Sequence, residues 1–195
     1  MIKVGITGGI GSGKSIVCKV FEQLGISVYS ADVEAKKLYD DASVKLKVKK
    51  AIGDVFDASG NVDRKKLAGV VFKDKALLDK LNAIIHPAVK EHFKKWLVEH
   101  KNEKYILKEA AILFESGTNK GLDYIITVSA PLELRIARTM QRDNISRAEV
   151  EKRVASQMSE EEKIKRSDYI IVNDEHELVI PQVLKINREL LKNKK

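Results

Sequence analysis

A glycine-rich run close to the start of the chain has the residue types that bind phosphate. Residues 8–15 read GGIGSGKS and match the pattern G-x-x-x-x-G-K-[ST]. Glycines let backbone N–H groups close around phosphate oxygens, the lysine reaches the β- and γ-phosphates, and the final hydroxyl ligates Mg²⁺. The pattern predicts a nucleoside triphosphate with Mg²⁺ at this loop, with Lys14 as a catalytic residue and Ser15 as the metal ligand.

The sequence on either side of this loop fits a phosphate site. The apolar run over 2–7 has the pattern of a buried strand, and an amphipathic helix is expected over 14–24, with Gly25 as its C-cap. A helix that begins at the loop adds the positive end of its dipole. A glycine turn without a ligand is the alternative, and this context argues against it. The expected triphosphate contacts are Gly9, Gly11, Ser12, Gly13, Lys14, Ser15 and Ile16.

Asp32 is the candidate for the second chemical role. Phosphoryl transfer needs a residue that orients or deprotonates the acceptor hydroxyl. Asp32 comes directly after the second predicted strand, over 27–30, at the sheet edge that adjoins the phosphate loop. An aspartate at this place could also be the N-cap of a helix over 33–39. The two roles are compatible, and position alone does not choose between them.

The elements that must position these residues follow an alternating order. Short apolar runs with the pattern of buried strands lie at 2–7, 27–30, 105–109, 124–128 and 169–172. Helical patterns separate them, including one that Pro131 opens and one over 177–191. This alternation favours a parallel sheet with right-handed crossovers. The expected fold class is α/β, a three-layer P-loop nucleoside-triphosphate-hydrolase or kinase core with a parallel five-stranded sheet.

Two segments are too long for plain crossovers. Residues 32–100 hold helical patterns at 33–39, 64–72, 76–85 and 87–99, and Pro87 predicts a helix break because the residue before a proline avoids the α conformation. We interpret them as a helical substrate-binding insertion. The charged, glycine-free stretch at 146–165 suits a mobile helical lid. The core of this single domain would then comprise 1–31, 101–145 and 166–195.

Composition narrows the class of protein. With 44% hydrophobic and 33% charged residues, the chain is an ordinary globular protein, and its net charge of +8 fits a surface that attracts small anionic substrates. The lysines are not interleaved with aromatic residues, which argues against nucleic acid as a partner. Cys18 is the single cysteine, and neither a signal peptide nor a membrane span is apparent. We expect a cytoplasmic monomer or weak homo-oligomer.

Several blocks in the same order resemble the dephospho-CoA kinase family. They lie at 5–15, 31–32, 62–67, 71–72, 81–89, 112–115, 138–142, 157 and 167–173. The resemblance implies transfer of a phosphoryl group from ATP, with Mg²⁺, to the ribose 3′-hydroxyl of dephospho-CoA, the final step of coenzyme A biosynthesis. It implies that Asp32 is the catalytic aspartate, that 32–100 binds the CoA moiety and that 146–165 is the lid.

The resemblance also bears on residues that spacing alone leaves open. Arg138 and Arg142 share a helix face, so they could contact phosphate or form a solvated charged surface with Asp143 or Glu149; the resemblance favours ATP contact by Arg138 and a catalytic role for Arg142. Asn173 is a candidate ATP contact. Arg64 could bind the acceptor or pair with Asp63 or Asp57, and His86 could bind the acceptor or be a buried histidine.

Three positions depart from the family pattern, and other functions remain as alternatives. Ile16 stands where family members often have threonine, and Ala111 stands where they have proline; the glycine after Asn173 is missing. Either Glu109 or Glu115 could assist Mg²⁺ through water. The alternatives are a P-loop kinase with a smaller acceptor, a GTPase switch using the D-x-x-G-like stretch at 57–60, and a nucleic-acid-dependent ATPase.

Overall fold

The structure, a computed structural model, describes residues 1–71 and 73–192. The chain forms two compact units. The first combines Met1–Ser30 with the chain from His100 onward, and the second spans Ala31–Glu99.

The sheet of the first unit contains β1 (Ile2–Thr7), β2 (Val28–Ser30), β3 (Tyr105–Glu109), β4 (Tyr124–Ser129) and β5 (Tyr169–Val172). Its order is β2-β3-β1-β4-β5, and every neighbouring pair is parallel. The predicted parallel five-stranded α/β fold is confirmed, and the predicted strands differ from the observed ones by no more than one residue at either end. The loop after the central strand β1 therefore lies at the carboxyl edge of the sheet, where ligands bind in such folds.

The helices follow in chain order. They are α1 (Lys14–Gln23), α2 (Ala31–Leu38), α3 (Ala42–Ile52), α4 (Arg64–Val71), α5 (Lys75–Glu99), α6 (Leu132–Asp143), α7 (Arg147–Ala155), α8 (Glu160–Lys165) and α9 (Val179–Lys192). Helices α2 to α5 belong to the second unit, and the others belong to the first. The predicted end of α4 at Phe72 lies outside the described residues.

One face of the sheet packs on α1 and α9. Val4 and Ile6 of β1 are fully buried in the same apolar cluster as Phe21 of α1 and Val183 and Leu190 of α9. Apolar residues three and four positions apart place one stripe of each helix against the sheet. This cluster is the main core of the first unit, and it holds β1 and α1 on either side of the phosphate loop.

Helix α1 ends as its glycine predicts. Gly25 has a φ of 80°, and its N–H donates to the carbonyl of Glu22 at 2.9 Å. The N–H of Ile26 donates to the carbonyl of Phe21 at 3.1 Å. This pair of bonds is the Schellman motif, which requires a left-handed residue and therefore favours glycine.

The second unit has a separate apolar core, formed by residues of α3, α4 and α5 and by the turn between Val55 and Val62. Aspartate side chains cap the N-termini of three of its helices. Asp41 accepts from the N–H groups of Ser43 and Val44, and Asp63 and Asp74 accept equivalent bonds at the starts of α4 and α5. Each cap satisfies N–H groups that have no partner within the helix.

Helix α3 was not predicted. Residues 42–52 lack an obvious helical pattern, although Asp41 is an N-cap residue and Val44 and Val48 are four positions apart. The four lysines of this helix obscured its apolar stripe. Val44 and Val48 are buried in the core of the second unit, so tertiary packing stabilises a helix whose composition is mostly polar.

The predicted helix break at Pro87 is wrong, because α5 continues through Pro87 from Lys75 to Glu99. Leu81 and Ile85 are buried before the proline, and Phe93 is buried after it. Val89 packs against the same core as Leu81 and Ile85. These side chains recur every four residues, so one apolar stripe spans the proline, and its burial offsets the loss of a single backbone hydrogen bond.

Candidate active site

The phosphate loop connects β1 directly to α1. Gly13 is the N-cap of α1 and has a φ of 92°, while Gly11 has a φ of 78°, so both positions need the left-handed backbone that glycine adopts most readily. The Lys14 ammonium group turns back over the loop and donates to the carbonyl of Gly8 at 2.9 Å. The predicted loop and the predicted helix thus meet in the arrangement that a phosphate site needs.

Close packing beneath the loop gives a second reason for its glycines. A Cβ on Gly9 would lie 2.5 Å from Cζ of Arg135, and one on Gly11 would lie 2.2 Å from the Arg135 carbonyl oxygen. A Cβ on Gly13 would lie 2.1 Å from Nδ2 of Asn173. A side chain at Gly11 would displace the loop backbone, and one at Gly9 or Gly13 would push Arg135 or Asn173 away, so the glycines allow α6 and the end of β5 to support the loop.

Ser12, Ser15 and Ile16 occupy different environments. Ser12 is fully buried, its N–H donates to the Gly9 carbonyl at 3.1 Å, and its Oγ has no hydrogen-bond partner among the described residues. Ser15 is exposed on the first turn of α1. The Ile16 side chain beside it is 58% exposed. The hydroxyl predicted to hold Mg²⁺ is thus accessible at the positive end of the helix.

Glu109 lies at the carboxyl end of β3, beside Ile6 of β1 in the sheet register. It is 9% exposed, and its Oε2 accepts from Ser30 Oγ at 2.7 Å. Burial raises the pKa of the Cys18 thiol to about 12; the charge of Glu109 acts in the same direction, and Lys14 opposes it. Glu109 and the first residue of α1, Lys14, therefore both act on one buried group of that helix.

Glu115 has different partners. Its Oε1 accepts from the Lys163 ammonium group at 2.8 Å and from the Met158 N–H at 2.8 Å. Lys163 is fully buried and also donates to the Ala111 carbonyl at 2.9 Å. Partial burial raises the pKa of Glu115, but the hydrogen bonds from Lys163 and Met158 outweigh it, so the pKa is lowered overall. Glu115 thus anchors α8 to the segment that follows β3.

Arg138 and Arg142 of α6 contact different groups. Arg138 donates to the Asn173 carbonyl at 3.0 Å and pairs with Glu175 at 3.2 Å. Arg142 is largely exposed and pairs with Asp143 at 2.7 Å. That bond is the main reason why the pKa of Asp143 is lowered and that of Arg142 is raised.

Asn173 lies directly against the phosphate loop. Its Nδ2 donates to the Ser12 carbonyl at 2.8 Å, and its backbone N–H donates to the Ser129 carbonyl at 2.8 Å. The structure therefore brings the phosphate loop, Arg138 and Asn173 together in the first unit.

Arg135 was missed by the sequence analysis. It is 5% exposed, donates from Nε to the Ile10 carbonyl at 3.2 Å and forms an ion pair with Glu160. The helix that Pro131 opens was predicted, but Arg135, Ile136 and Thr139 are its buried residues. Helical spacing gives no sign that an arginine faces inward, because its partner is far away in the chain.

The remaining site candidates belong to the second unit. Asp32 is exposed in the first turn of α2, which begins one residue earlier at Ala31, so the alternative of Asp32 as its N-cap is wrong. Arg64 donates to the Lys36 carbonyl at 3.1 Å rather than pairing with Asp63 or Asp57. His86 is exposed within α5, so the alternative of a buried histidine is also wrong.

Among residues 1–71 and 73–192, His, Cys, Asp and Glu side chains do not form a group of three that could hold a metal ion. Within the same residues, every helix is too short or too polar to cross a membrane. The stretch at 57–60 that resembles D-x-x-G forms a turn in the second unit, where the Asp57 side chain accepts from the N–H groups of Ser59 and Asn61.

A parallel sheet with a glycine-rich phosphate loop between its central strand and the following helix, supported by α6, defines a P-loop protein that binds a nucleoside triphosphate. The comparisons agree. The family model described as dephospho-CoA kinase matches residues 2–178. The chain belongs to the dephospho-CoA kinase family and, as a P-loop kinase, uses ATP.

Individual relatives support this membership. A dephospho-CoA kinase of Bacteroides fragilis is 41% identical over 186 residues, which cover 95% of this chain and 91% of the relative. A solved Thermus thermophilus protein is 34% identical with a TM-score of 0.89, covering 98% of each chain. A solved dephospho-CoA kinase from Campylobacter jejuni is 28% identical with a TM-score of 0.72, covering 97% of each chain.

Proposed function

We propose that this protein transfers the γ-phosphoryl group of ATP to the ribose 3′-hydroxyl of dephospho-CoA, giving coenzyme A and ADP as the final step of coenzyme A biosynthesis. The single observation that carries this proposal is the phosphate loop between β1 and α1 in a chain whose residues 2–178 match the dephospho-CoA kinase family.

ATP binding is assigned to the first unit. The loop backbone and the start of α1, including Ile16, surround the phosphates, and Lys14 neutralises charge on the β- and γ-phosphates. Arg138 and Arg142 add positive charge from α6, which stabilises the charge that builds on the transferred group. Asn173 is assigned to ATP because it lies against the loop beside Ser12.

The residues at the loop also fit Mg²⁺. We assign the metal to the exposed hydroxyl of Ser15, with Glu109 as the acid that acts through water. Glu109 is preferred to Glu115 because it ends β3 beside β1, whereas the carboxylate of Glu115 is held by the buried Lys163 and by Met158. When bound, Mg²⁺ neutralises charge on the phosphate oxygens.

Asp32, Arg64 and His86 are assigned to the acceptor. Asp32 accepts the proton of the ribose 3′-hydroxyl, the hydroxyl oxygen forms a bond to the γ-phosphorus, and the bond from that phosphorus to the β,γ-bridging oxygen breaks to release ADP. Arg64 and His86 are exposed side chains in the second unit and bind the CoA moiety there. Residues 146–165 are assigned to the lid.

The test is a panel of acceptors in a coupled assay of ADP release, with MgATP and purified protein. Dephospho-CoA should give much the fastest turnover, and Lys14→Ala should remove both transfer and tight triphosphate binding. Nucleoside monophosphates and shikimate represent kinases with smaller acceptors, and equal or faster turnover on either one contradicts the proposal. GTP in place of ATP and added DNA or RNA test the GTPase and nucleic-acid-dependent alternatives.

The proposal also covers the cellular compartment, the oligomeric state and the partners of the protein. A single buried thiol, Cys18, is compatible with the reducing cytoplasm, where coenzyme A and ATP are both present. We expect a monomer or a weak homo-oligomer without nucleic-acid or membrane partners. Sedimentation of the purified protein measures its oligomeric state, and sedimentation with added DNA measures nucleic-acid binding.

A further inference from the structure

Ile10, at the apex of the phosphate loop, is held on both sides by side chains from distant parts of the first unit. Its N–H donates to Oε1 of Gln157 at 2.9 Å. Its carbonyl accepts from Nε of Arg135 at 3.2 Å. The peptide groups on either side of Ile10 are thereby fixed in orientation, and these peptides belong to the backbone that surrounds phosphate.

Arg135 also limits where the loop backbone can lie. Its guanidinium and carbonyl groups occupy the space that a Cβ on Gly9 or Gly11 would need. Arg135 is 5% exposed, and a buried guanidinium is stable only with an opposite charge and satisfied hydrogen bonds. Glu160, the first residue of α8, supplies that charge.

Glu160 itself is fixed by the end of β4. Its Oε1 accepts from the Ala130 N–H at 3.0 Å and from the Ser129 hydroxyl. Gln157 precedes Glu160 by three residues, in the short connection between α7 and α8. Gln157 therefore contacts the phosphate loop directly. Glu160, the residue that follows this connection, contacts the loop through Arg135.

We propose that Arg135 and Gln157 are positioning residues that hold the phosphate loop in its triphosphate-binding shape, and that Glu160 makes this shape depend on the connection between α7 and α8. A loop that is already ordered binds its ligand more tightly, because the entropy of ordering it is not lost on binding. The inference rests on the proposed function only as far as triphosphate binding and is independent of the acceptor.

Gln157→Leu tests the direct contact, since leucine has a similar size and cannot accept from Ile10. The dissociation constant for MgATP, measured directly with a fluorescent analogue displaced by ATP, should rise about tenfold, as expected for one lost hydrogen bond that shapes the site. The KM for the acceptor should stay within twofold of wild type.

Gln182→Leu is the matched control. Gln182 also bonds to backbone groups, accepting from and donating to Val172 at 2.9 Å, but it does so between α9 and β5. This variant should lose at least as much thermal stability without nucleotide as Gln157→Leu, while its affinity for MgATP stays unchanged. A loss of affinity that merely followed stability would appear in both variants and would overturn the inference.

Glu160→Gln tests the indirect contact without removing the side chain's size. We expect weaker MgATP binding, and the double variant with Gln157→Leu should lose less affinity than the product of the two single effects, because both act on Ile10. Glu103→Gln is its control, since the Glu103 carboxylate also accepts from a backbone N–H and a hydroxyl, both of Ser27, and Glu103 belongs to none of the assigned sites. If Gln157→Leu fails to fold, the Glu160 and Glu103 pair decides the question.

The outcomes separate this inference from the proposed function. If wild-type protein does not bind MgATP, the proposed function and the inference both fail. If wild type binds MgATP and the Gln157 and Glu160 variants bind it equally well, only the inference fails. If wild type binds MgATP but dephospho-CoA is not an acceptor, the proposed reaction fails while the inference about the loop still stands on the affinities.

Discussion

Glu109 and Glu115 have different partners in the structure, although Glu109 is the last residue of β3 and Glu115 follows it closely in the chain. Glu109 accepts from Ser30 at the edge of the sheet, whereas Glu115 accepts from the buried Lys163. This difference is the reason for assigning Glu109 rather than Glu115 to the metal. It could not be obtained from the sequence, because Lys163 lies 48 positions beyond Glu115 and looks like an ordinary helix lysine.

At the scale of single residues, Asp32→Asn is the prediction that concerns catalysis. Asparagine keeps the size of the side chain but cannot take the proton from the acceptor, so kcat should fall by about 10²-fold or more. The dissociation constant for MgATP should be unchanged, since Asp32 is not assigned to ATP. A coupled ADP-release assay measures kcat. An unchanged kcat would contradict the catalytic role of Asp32 and leave it only its place in the first turn of α2.

Ile16→Thr is the second residue-scale prediction. The Ile16 side chain is 58% exposed beside Ser15, and threonine would add a hydroxyl donor at the phosphate site. One added hydrogen bond should tighten MgATP binding about two- to tenfold in direct titrations. Ile180→Thr is the control, because Ile180 is 57% exposed on α9 and should leave the affinity unchanged. Equal effects of both substitutions would contradict the role given to Ile16.

At the scale of elements, α5 shows how packing can override a local preference. Pro87 lies inside this helix, where proline removes a backbone hydrogen bond. Pro87→Ala should therefore raise the free energy of unfolding by about 1–3 kcal/mol in urea titrations. Pro181→Ala is the control, since Pro181 is the third residue of α9, where the N–H has no helical partner. A stabilisation no larger than that of the control would contradict this account.

The contact between α8 and the segment after β3 predicts a dependence on pH. The pKa of Glu115 is lowered in the folded protein, so its contribution to stability is complete above the unfolded pKa and is lost as pH falls through the folded pKa. Glu115→Gln should lose stability at pH 7, and its free energy of unfolding should fall less than that of wild type as the solution is acidified.

Denaturant titrations from pH 7 to pH 3 measure this difference. Glu133→Gln is the control on the surface of α6, because the pKa of Glu133 is also lowered by an arginine but its side chain is 72% exposed, where ion pairs contribute little. Parallel acid profiles for wild type and Glu115→Gln would show that the bond to Lys163 adds no stability in solution.

At the scale of the whole molecule, ligand binding should stabilise the fold by mass action. ATP that binds the folded state alone adds about 2.7 kcal/mol at one hundred times its dissociation constant, which corresponds to a rise in Tm of several degrees for a protein of this size. The rise should need Mg²⁺ for its full size and should be absent in Gly11→Ala, in which a Cβ would lie 2.2 Å from the Arg135 carbonyl.

Differential scanning fluorimetry with and without MgATP provides this measurement. Gly69→Ala is the control, since a Cβ on Gly69 in the second unit meets nothing within 4 Å and should leave the shift with MgATP intact. A full shift in Gly11→Ala would mean that ATP binds elsewhere on the protein.

The sequence by itself determined the phosphate loop, the five strands of the sheet and the family. These features depend on short stretches in which glycine spacing or apolar runs suffice, as in residues 8–15 and 2–7. The sequence was least informative about helices whose apolar positions are separated by lysines or interrupted by a proline. The lysines of α3 hid Val44 and Val48, and Pro87 interrupted the pattern of α5.

Only the tertiary structure decided which side chains support the loop. Arg135, Gln157 and Glu160 meet around Ile10 because α6 packs against the phosphate loop and the start of α8 packs beside the end of β4. Contacts over such separations leave no periodic signal in the chain, since each partner is an ordinary polar residue of its own helix or turn. The motif specifies the backbone that binds phosphate, and the tertiary fold specifies the side chains that hold that backbone in place.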